Sequence, residues 1–303
     1  MSTPITSSGT PPQVEERSPG RRILIEAWRQ RELKIGLAIL VVILIGAVLY
    51  PLITDADAYA MDVMNRYVPP LGMDGSSLAN PFGTDQLGRD VLARSFIGLG
   101  YSLLIAVPTV ILMYGIGCVI GILAGVRGGL VDTVAMRLTD AQLAIPMILL
   151  AVTVLGVARP NVYLIITVLA LAGWPLYARV ARSAAQSEKR REYIRAARVL
   201  GASEWRIIVT CIAPAVLPPI AFVAVLDIAR IMILESILGF LGLGIQPPTP
   251  SFGNMIADGR KYLVNHWWVP TMPGILLLVV LISINMVGAS LERARNRVFK
   301  GAL

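Results

Sequence analysis

Residues 187–219, SEKRREYIRAARVLGASEWRIIVTCIAPAVLPP, hold the densest cluster of charge in the chain. Four arginines and one glutamate crowd into nine residues of this segment: Arg190, Arg191, Glu192, Arg195 and Arg198. The stretches on both sides are apolar enough to lie in lipid. A polar, helix-forming segment between two hydrophobic spans belongs at the membrane surface, where it faces a soluble phase. We therefore predict that a soluble partner binds this segment.

The pattern within the segment predicts two short helices joined by a turn. Residues 193, 196, 197 and 200 take the i, i+3, i+4 and i+7 positions of one helix face, and arginines line another. Gly201 suits the position just after a helix end, and Ser203 can cap a second helix beginning at Glu204. Prolines from Pro214 onward mark the entry into the next apolar span. We expect this helix–turn–helix to lie on the cytoplasmic surface.

The composition places the whole chain in a membrane. Of its 303 residues, 55% are hydrophobic and 15% are charged, and the mean hydropathy is +0.69, whereas soluble domains are about a quarter charged. The net charge of +8 does not indicate nucleic-acid binding, because the Lys and Arg residues cluster beside apolar runs, as they do in cytoplasmic loops.

Few side chains could carry out chemistry. The chain has two cysteines and one histidine, too few for a disulfide framework, a zinc site or a haem site. It has no nucleophile–base pattern, no G-x-x-x-x-G-K-[ST] phosphate loop and no Gly-Lys dipeptide. We expect no catalytic residue, no metal site and no cofactor bound by this chain.

Six apolar runs of about 20 residues each fit the hydrocarbon thickness of a bilayer. They are roughly 35–53, 101–125, 132–157, 162–182, 215–243 and 269–291. An even number of spans puts both termini on one side, and the basic residues near both termini and in the 179–206 loop indicate that this side is the cytoplasm. The predicted fold is an all-α polytopic membrane protein with six transmembrane helices and both termini cytoplasmic.

The runs divide the chain into five parts. They are a cytoplasmic tail (1–34) whose first part is disordered, the first transmembrane helix (35–53), an aspartate-rich extracytoplasmic arm (54–100), a five-helix core (101–292) that includes the charged loop 187–214, and a cytoplasmic tail (293–303). In the core, Gly117, Gly121 and Gly125 predict a helix face for close packing. The Trp267-Trp268 pair predicts an interfacial anchor, with His266 beside it as an interfacial residue.

The charged loop resembles the EAA loop of ABC importer permeases. The pattern of that family is E-A-A, three residues, Gly, and then nine residues before I-x-L-P. Here Ala196-Ala197 is followed by Gly201 and, thirteen residues later, by Pro214, at the family spacing. Two departures from the pattern matter. Arg195 stands where the family places Glu, and the tail reads Cys211-Ile212-Ala213-Pro214, so that Ala213 stands where the family places Leu.

Three further segments are similar to the dipeptide/oligopeptide/nickel branch of these permeases. They are PFGTDQLGRDVLARSFIGLGYSL (81–103), MRLTDAQLAIP (136–146) and ESILGFLGLGIQPPTPSFGNM (235–255). The first looks like the extracytoplasmic G-T-D-x-x-G-R-D signature, here Gly83, Thr84, Asp85, Gly88, Arg89 and Asp90. The resemblance covers roughly 20–290, and one span plus an arm before a five-span core looks like the C-type subunit. The tail lacks the branch's G-D-x-L-R-D-x-L-D-P ending.

The resemblance implies a type I importer permease core in a prokaryotic inner membrane, acting on di- or oligopeptides. The implied partners are a homologous second permease, two cytoplasmic ATPases that hold ATP and Mg²⁺, and an extracytoplasmic substrate-binding protein. The EAA loop would supply the coupling helix that docks on an ATPase. The docking residues carried over are Glu192, Tyr193, Arg195, Ala196, Ala197, Leu200, Gly201, Ala202, Ser203 and Pro214.

Ionisable residues of the fifth span leave two roles open. Asp227 and Arg230 share a helix face, with Glu235 further along, and charges within a membrane usually face a bundle interior or an aqueous path. These residues either line the route of a zwitterionic peptide or form a structural ion pair. For Arg137 and Asp140, which repeat the spacing nearer the cytoplasm, a structural role is favoured.

The signature residues of the arm also have two interpretations. Asp85, Arg89 and Asp90 either contact the binding protein or close an outer gate, or they belong to a capped, solvated amphipathic helix, which is the favoured local explanation.

For the whole chain, the nearest alternative function is a nickel or glutathione-type peptide importer of the same branch. An ion-coupled secondary transporter would use Asp227 and Glu235 as carriers, but such proteins typically show inverted repeats, and none is found in this sequence.

Overall fold

The chain folds almost entirely into helices. The structure is a computed structural model that describes residues 19–54 and 57–300, so most of the predicted disordered tail lies outside the described residues. The α-helices are α1 (Pro19–Trp28), α2 (Arg31–Thr54), α3 (Val91–Arg127), α4 (Gly129–Leu143), α5 (Met147–Val157), α6 (Val162–Lys189), α7 (Glu192–Val199), α8 (Glu204–Ile207), α9 (Ala213–Phe240), α10 (Phe252–Gly259) and α11 (Trp268–Lys300). Within these ranges the only β pairing is an isolated bridge between Thr84 and Asp90. The predicted all-α class is confirmed.

Five helices are long and apolar enough to cross a membrane. They are α2, α3, α6, α11 and a continuous helix over 204–240 that contains α8 and α9. The pair α4–α5 adds a sixth crossing if it counts as one broken span. The predicted number of six is therefore reached only with this pair.

The third predicted span, 132–157, is wrong as a single straight helix. It is two helices that meet at 77°, and Pro146 stands at the break as the residue before α5. Proline lacks the N–H that would continue the helical ladder, and its ring pushes the preceding residue out of helical geometry. The sequence contained this signal, since the same proline ends the 136–146 motif.

Helical structure extends into regions that were predicted to lie outside the spans. The third helix, α3, begins at Val91 within the predicted arm, because the Asp90 side chain accepts a hydrogen bond from the Ala93 N–H at 2.7 Å and caps the helix. The last helix, α11, continues through the predicted tail to Lys300. Near the other terminus, α1 forms within the predicted N-terminal tail, where Ile23 and Ala27 pack against Ala294.

The tightest helix pair is α3 against α6, and the glycine ladder is the reason. A Cβ at Gly117 would stand 2.5 Å from the Trp174 carbonyl oxygen, and a Cβ at Gly125 would stand 2.7 Å from that of Arg182. At Gly121 a Cβ would collide with the Ala178 carbonyl oxygen. The predicted close-packing face is therefore confirmed, since only glycine allows this approach. The main core lies where α3, α6 and α9 meet, with α2 at its edge.

Candidate functional site

The charged loop forms the predicted helix and turn. The α7 helix ends in the hydrogen bonds of a Schellman motif, because Gly201 N–H donates to the Arg198 carbonyl at 2.9 Å and Ala202 N–H donates to that of Ala197 at 3.1 Å. Gly201 has φ +82°, a conformation that favours glycine. The Ser203 side chain then accepts from the Arg206 N–H at 3.4 Å and caps α8.

One side of α7 holds the loop to the core and the rest is exposed. Ile194 is fully buried, and Ala197 and Ala202 pack against the core in part. Leu200, by contrast, is 85% exposed, and Val199 and Trp205 are also open to solvent. The remaining docking candidates are exposed as well, namely Glu192, Tyr193, Arg195, Ala196, Gly201, Ser203 and Pro214. The loop therefore presents charged and apolar side chains that nothing within the described chain covers.

The second half of the motif is not a separate surface helix, which corrects the helix–turn–helix prediction. The α8 helix continues through a π-helical turn, Ile208–Ile212, directly into α9. In that turn Ala213 N–H donates to the carbonyl of Ile208, five residues back. Pro214 follows, and it has no N–H to donate to the Thr210 carbonyl, so the ladder is shifted beside it. The second half of the loop, from Glu204, and the fifth span consequently form one continuous helix.

Polar contacts tie the start of the loop to the neighbouring helices. Lys189 donates a hydrogen bond to the Val126 carbonyl at the end of α3. Tyr193 donates to Glu188 at 2.5 Å, and partial burial together with this bond raises the pKa of Tyr193 to about 12. Arg191 lies 3.8 Å from the same carboxylate. A groove of about 940 Å³ runs between the loop and α1, with Tyr193, Pro214 and Phe222 among its lining residues.

The structure brings Asp227 and Arg230 together, with a third residue that the sequence did not single out. The Asp227 carboxylate lies 3.1 Å from Arg230 Nε and accepts a hydrogen bond from the Tyr177 hydroxyl at 2.5 Å. Asp227 and Tyr177 are buried, whereas the Arg230 side chain is about half exposed. The arrangement has the geometry of a structural ion pair with one exposed cation.

Glu235 is separate from that pair. It is fully buried between α9 and α3, where its Oε2 accepts a hydrogen bond from the Ser102 hydroxyl at 2.8 Å. Its other oxygen, Oε1, has no partner among the described residues. In this conformation Glu235 therefore lines no open path, and its role in transport stays a prediction.

The signature of the arm forms a compact buried loop, which corrects the expectation of a solvated helix. Asp85 accepts hydrogen bonds from the Leu87 and Arg89 N–H groups, and it pairs with Arg89 Nε at 2.7 Å and with Arg94 Nε at 3.6 Å. Asp90 is buried at the start of α3, and that burial raises its pKa. The capped part of the prediction is correct and the solvated part is wrong.

The same loop is joined to the start of α11. Thr84 is buried, and its hydroxyl donates to the Asn65 carbonyl at 2.6 Å while its carbonyl accepts from the Trp268 indole N–H at 3.2 Å. Gly83 and Gly88 both have positive φ and lie against the arm backbone. Trp268 is consequently a buried anchor. The prediction that it is an interfacial anchor is wrong. His266 stacks on Tyr67 with ring centroids 3.8 Å apart.

Arg137 and Asp140 do not pair with each other. Asp140 pairs with Arg179 of α6 at 2.6 Å, and Asp132 pairs with Arg182 of the same helix. These contacts join α4 to α6, so the charges near this end hold two helices together. The spacing within α4 could not have identified partners that lie on another helix.

The residues that sequence reasoning missed are mostly anchors. Ile194, Tyr177 and Ser102 lie in segments where apolar or small residues are common, so composition alone does not distinguish them. In residues 19–54 and 57–300, no group of three or more His, Cys, Asp or Glu is placed to hold a metal ion.

Comparisons with known proteins agree on one family. The family model "Binding-protein-dependent transport system inner membrane component" matches residues 117–297. The di/tripeptide transport system permease protein DppC of Pseudomonas aeruginosa is 34% identical over 267 residues, which is 88% of each chain. The dipeptide transport system permease protein DppC of Escherichia coli is 35% identical over 281 residues, covering 91% of this chain and 94% of that protein.

A solved structure has the same fold. A chain of the MetNI methionine ABC transporter, in an inward-facing form, superposes with a TM-score of 0.53 at 21% identity. The match covers 65% of this chain and 94% of that chain. The predicted importer-permease fold is thereby confirmed for the core, although the matched region leaves about a third of this chain uncovered.

Proposed function

The chain belongs to the family of binding-protein-dependent transport system inner membrane components, and from this premise we propose that it forms half of the translocation pathway of an ABC importer for di- and oligopeptides. It is a multi-pass protein of the bacterial inner membrane. The peptide class is supported by relatives of near full-length coverage that are named as dipeptide and di/tripeptide permeases.

We further propose that the loop 187–214 is the ATPase-docking site. The observation that carries this is the exposed surface of α7 and its turn, where Leu200 and Val199 are open to solvent although Ile194 anchors the helix beneath them. Exposed apolar side chains in a rigid, positioned element are typical of an interface. The arginines around them supply charge for specificity.

The same element suggests how force is transmitted. Because α8, the π-helical turn and α9 form one continuous helix, a movement of the loop moves the fifth span as a lever. That span carries Asp227 and Glu235 into the core, with Arg230 half exposed beside Asp227. ATP binding and hydrolysis on two partner ATPases would thus open the pathway alternately to the two sides of the membrane. A second, homologous permease would complete the pathway. An extracytoplasmic binding protein would deliver the peptide.

The proposal assigns no catalysis, metal or cofactor to this chain. ATP and Mg²⁺ are bound by the partner ATPases, and peptide selection is largely the task of the binding protein. This division is supported by the lack of a phosphate-binding loop in the sequence. Purification in mild detergent should therefore recover the chain with a second permease and ATPase subunits. Peptide uptake by the isolated chain in proteoliposomes without ATP would refute the proposal.

Docking is tested by Leu200→Asp with Val264→Asp as the matched control. Leu200 is 85% exposed and Val264 is 95% exposed, and the whole of α9 separates them along the chain. We expect Leu200→Asp to lower ATPase recovery at least roughly tenfold, since burying one such side chain contributes about 1.5–3 kcal/mol. We expect Val264→Asp to leave ATPase recovery unchanged. Equal recovery with both variants would contradict a docking role for the loop.

A further inference from the structure

A basic pocket lies where α2 begins and α11 ends. It has a volume of about 430 Å³ and is lined by Arg29, Gln30, Arg31, Glu32, Arg293 and Arg297. Four of these six residues are arginines, so the pocket concentrates guanidinium groups at one end of a helix pair. The proposed transport function makes no use of this pocket.

Two glutamates neutralise the arginines only in part. Arg297 lies 3.0 Å and Arg29 lies 3.7 Å from the carboxylate of Glu26, and Arg293 pairs with Glu32. Four arginines against two glutamates leave an excess of two positive charges. The side chains of Arg29 and Arg297 are 76% and 63% exposed, and a guanidinium has five N–H donors. The pocket can therefore still bind an anion.

A wholly apolar cavity lies deeper between the same two helices. It has a volume of about 210 Å³, and all its lining residues are Leu, Ile or Val from α2, α3, α9 and α11. Leu40 follows Arg31 by nine residues and Ile284 precedes Arg293 by nine residues, which places both about 13 Å along their helices from the basic pocket. Half the hydrocarbon thickness of a bilayer is about 15 Å. The cavity thus lies at acyl-chain depth.

The first helix places the pocket at the level of the lipid headgroups. Ile23 and Ala27 of α1 are buried against α11, while Leu24 and Trp28, also four residues apart, are exposed. An amphipathic helix with an exposed Leu–Trp edge and flanking arginines is typical of a helix lying in the membrane interface. Since α1 leads directly to Arg29 and Arg31, the basic pocket opens at that interface.

We propose that one anionic phospholipid binds along the α2–α11 pair, beside the close contact of the two helices at Gly36. The phosphate lies among Arg29, Arg31, Arg293 and Arg297, and an acyl chain occupies the apolar cavity. Basic pockets between transmembrane helices are known to accept anionic headgroups. The bound lipid would add to the contacts between α2 and the core, because little of α2 is buried within this chain.

The test uses the full-length chain in detergent, analysed by native mass spectrometry and thermal denaturation. The probes are dioleoylphosphatidylglycerol, dioleoylphosphatidylcholine and inorganic phosphate. We expect a retained one-to-one adduct and a raised Tm with phosphatidylglycerol, and neither with the other two probes. Equal retention of both lipids would overturn the charge-selective site, and equal stabilisation by inorganic phosphate would overturn the lipid as occupant.

Paired variants locate the site. Arg29→Gln with Arg31→Gln should weaken phosphatidylglycerol retention roughly thirtyfold, from the usual contribution of each basic residue near an anionic surface. The control is Arg137→Gln with Arg159→Gln, two exposed arginines away from the pocket, which should retain the lipid.

Val225→Phe fills the apolar cavity and should also lower retention, whereas Val154→Phe, outside it, should not. Unchanged retention in the Arg29/Arg31 variant would overturn the proposal.

Discussion

Single side chains decide which helices of the core stay together. Asp227 is held by two partners of different kinds, the Tyr177 hydroxyl from α6 and the Arg230 guanidinium one turn further along α9. Both interactions give the buried carboxylate a partner, and a buried charge without one would be costly. The pair that the sequence suggested is therefore a triad, and its third member connects two helices.

The contribution of this triad can be measured with Tyr177→Phe. The variant keeps the ring but removes the hydroxyl, so we expect a loss of about 1.5–3 kcal/mol, typical of a hydrogen bond to a charged group. Tyr163→Phe is the control, because Tyr163 lies on the same helix with its side chain 82% exposed and should change stability by less than about 0.5 kcal/mol. Thermal denaturation in detergent compares the two, and equal Tm values would show that the hydroxyl contributes nothing.

At the scale of helices, the packing of α3 on α6 depends on small residues at one face. The carbonyl oxygens of Trp174, Ala178 and Arg182 lie closer than van der Waals contact to the places that Cβ atoms of the three ladder glycines would take. Backbone atoms cannot rotate away as a flexible side chain can, so even one methyl group forces the helices apart. The ladder therefore fixes how closely the two helices approach.

Two glycines of α3 form a matched pair for testing this packing. Gly121→Ala places a methyl group against the Ala178 backbone, and we expect a loss of about 1–3 kcal/mol in stability. Gly115→Ala meets nothing within 4 Å and should stabilise α3 by up to about 1 kcal/mol through helix propensity. Unfolding in detergent distinguishes the two, and a gain in stability for both variants would contradict the close-packing role.

At the scale of the whole molecule, buried contacts hold the arm that precedes α3 against the core. Asp85 pairs with Arg89 and Arg94, and Thr84 accepts from Trp268 at the start of α11. The last of these contacts joins residues 184 positions apart in the chain. They make the arm a positioned surface, as the proposed delivery of substrate by a binding protein would require.

The arm should loosen when its central carboxylate is neutralised. Asp85→Asn leaves Arg89 and Arg94 without their buried counter-charge, and breaking a buried pair costs about 3–5 kcal/mol. We expect faster amide hydrogen exchange over residues 57–90. Asp74→Asn, an exposed position of the same arm, should leave the exchange rates unchanged. Identical exchange in the two variants would mean that the arm is held by other contacts.

The sequence by itself determined the membrane class, most of the spans and the local form of the charged loop. These depend on apolar length, on 3.6-residue periodicity and on glycine or serine at helix ends, all of which are properties of neighbouring residues. Only the tertiary structure decided that Trp268 is buried, that α8 and α9 are one rod, and that Tyr177 completes the Asp227 pair. Each of these depends on how separate stretches of chain pack, and local spacing carries no record of which distant residue a side chain meets.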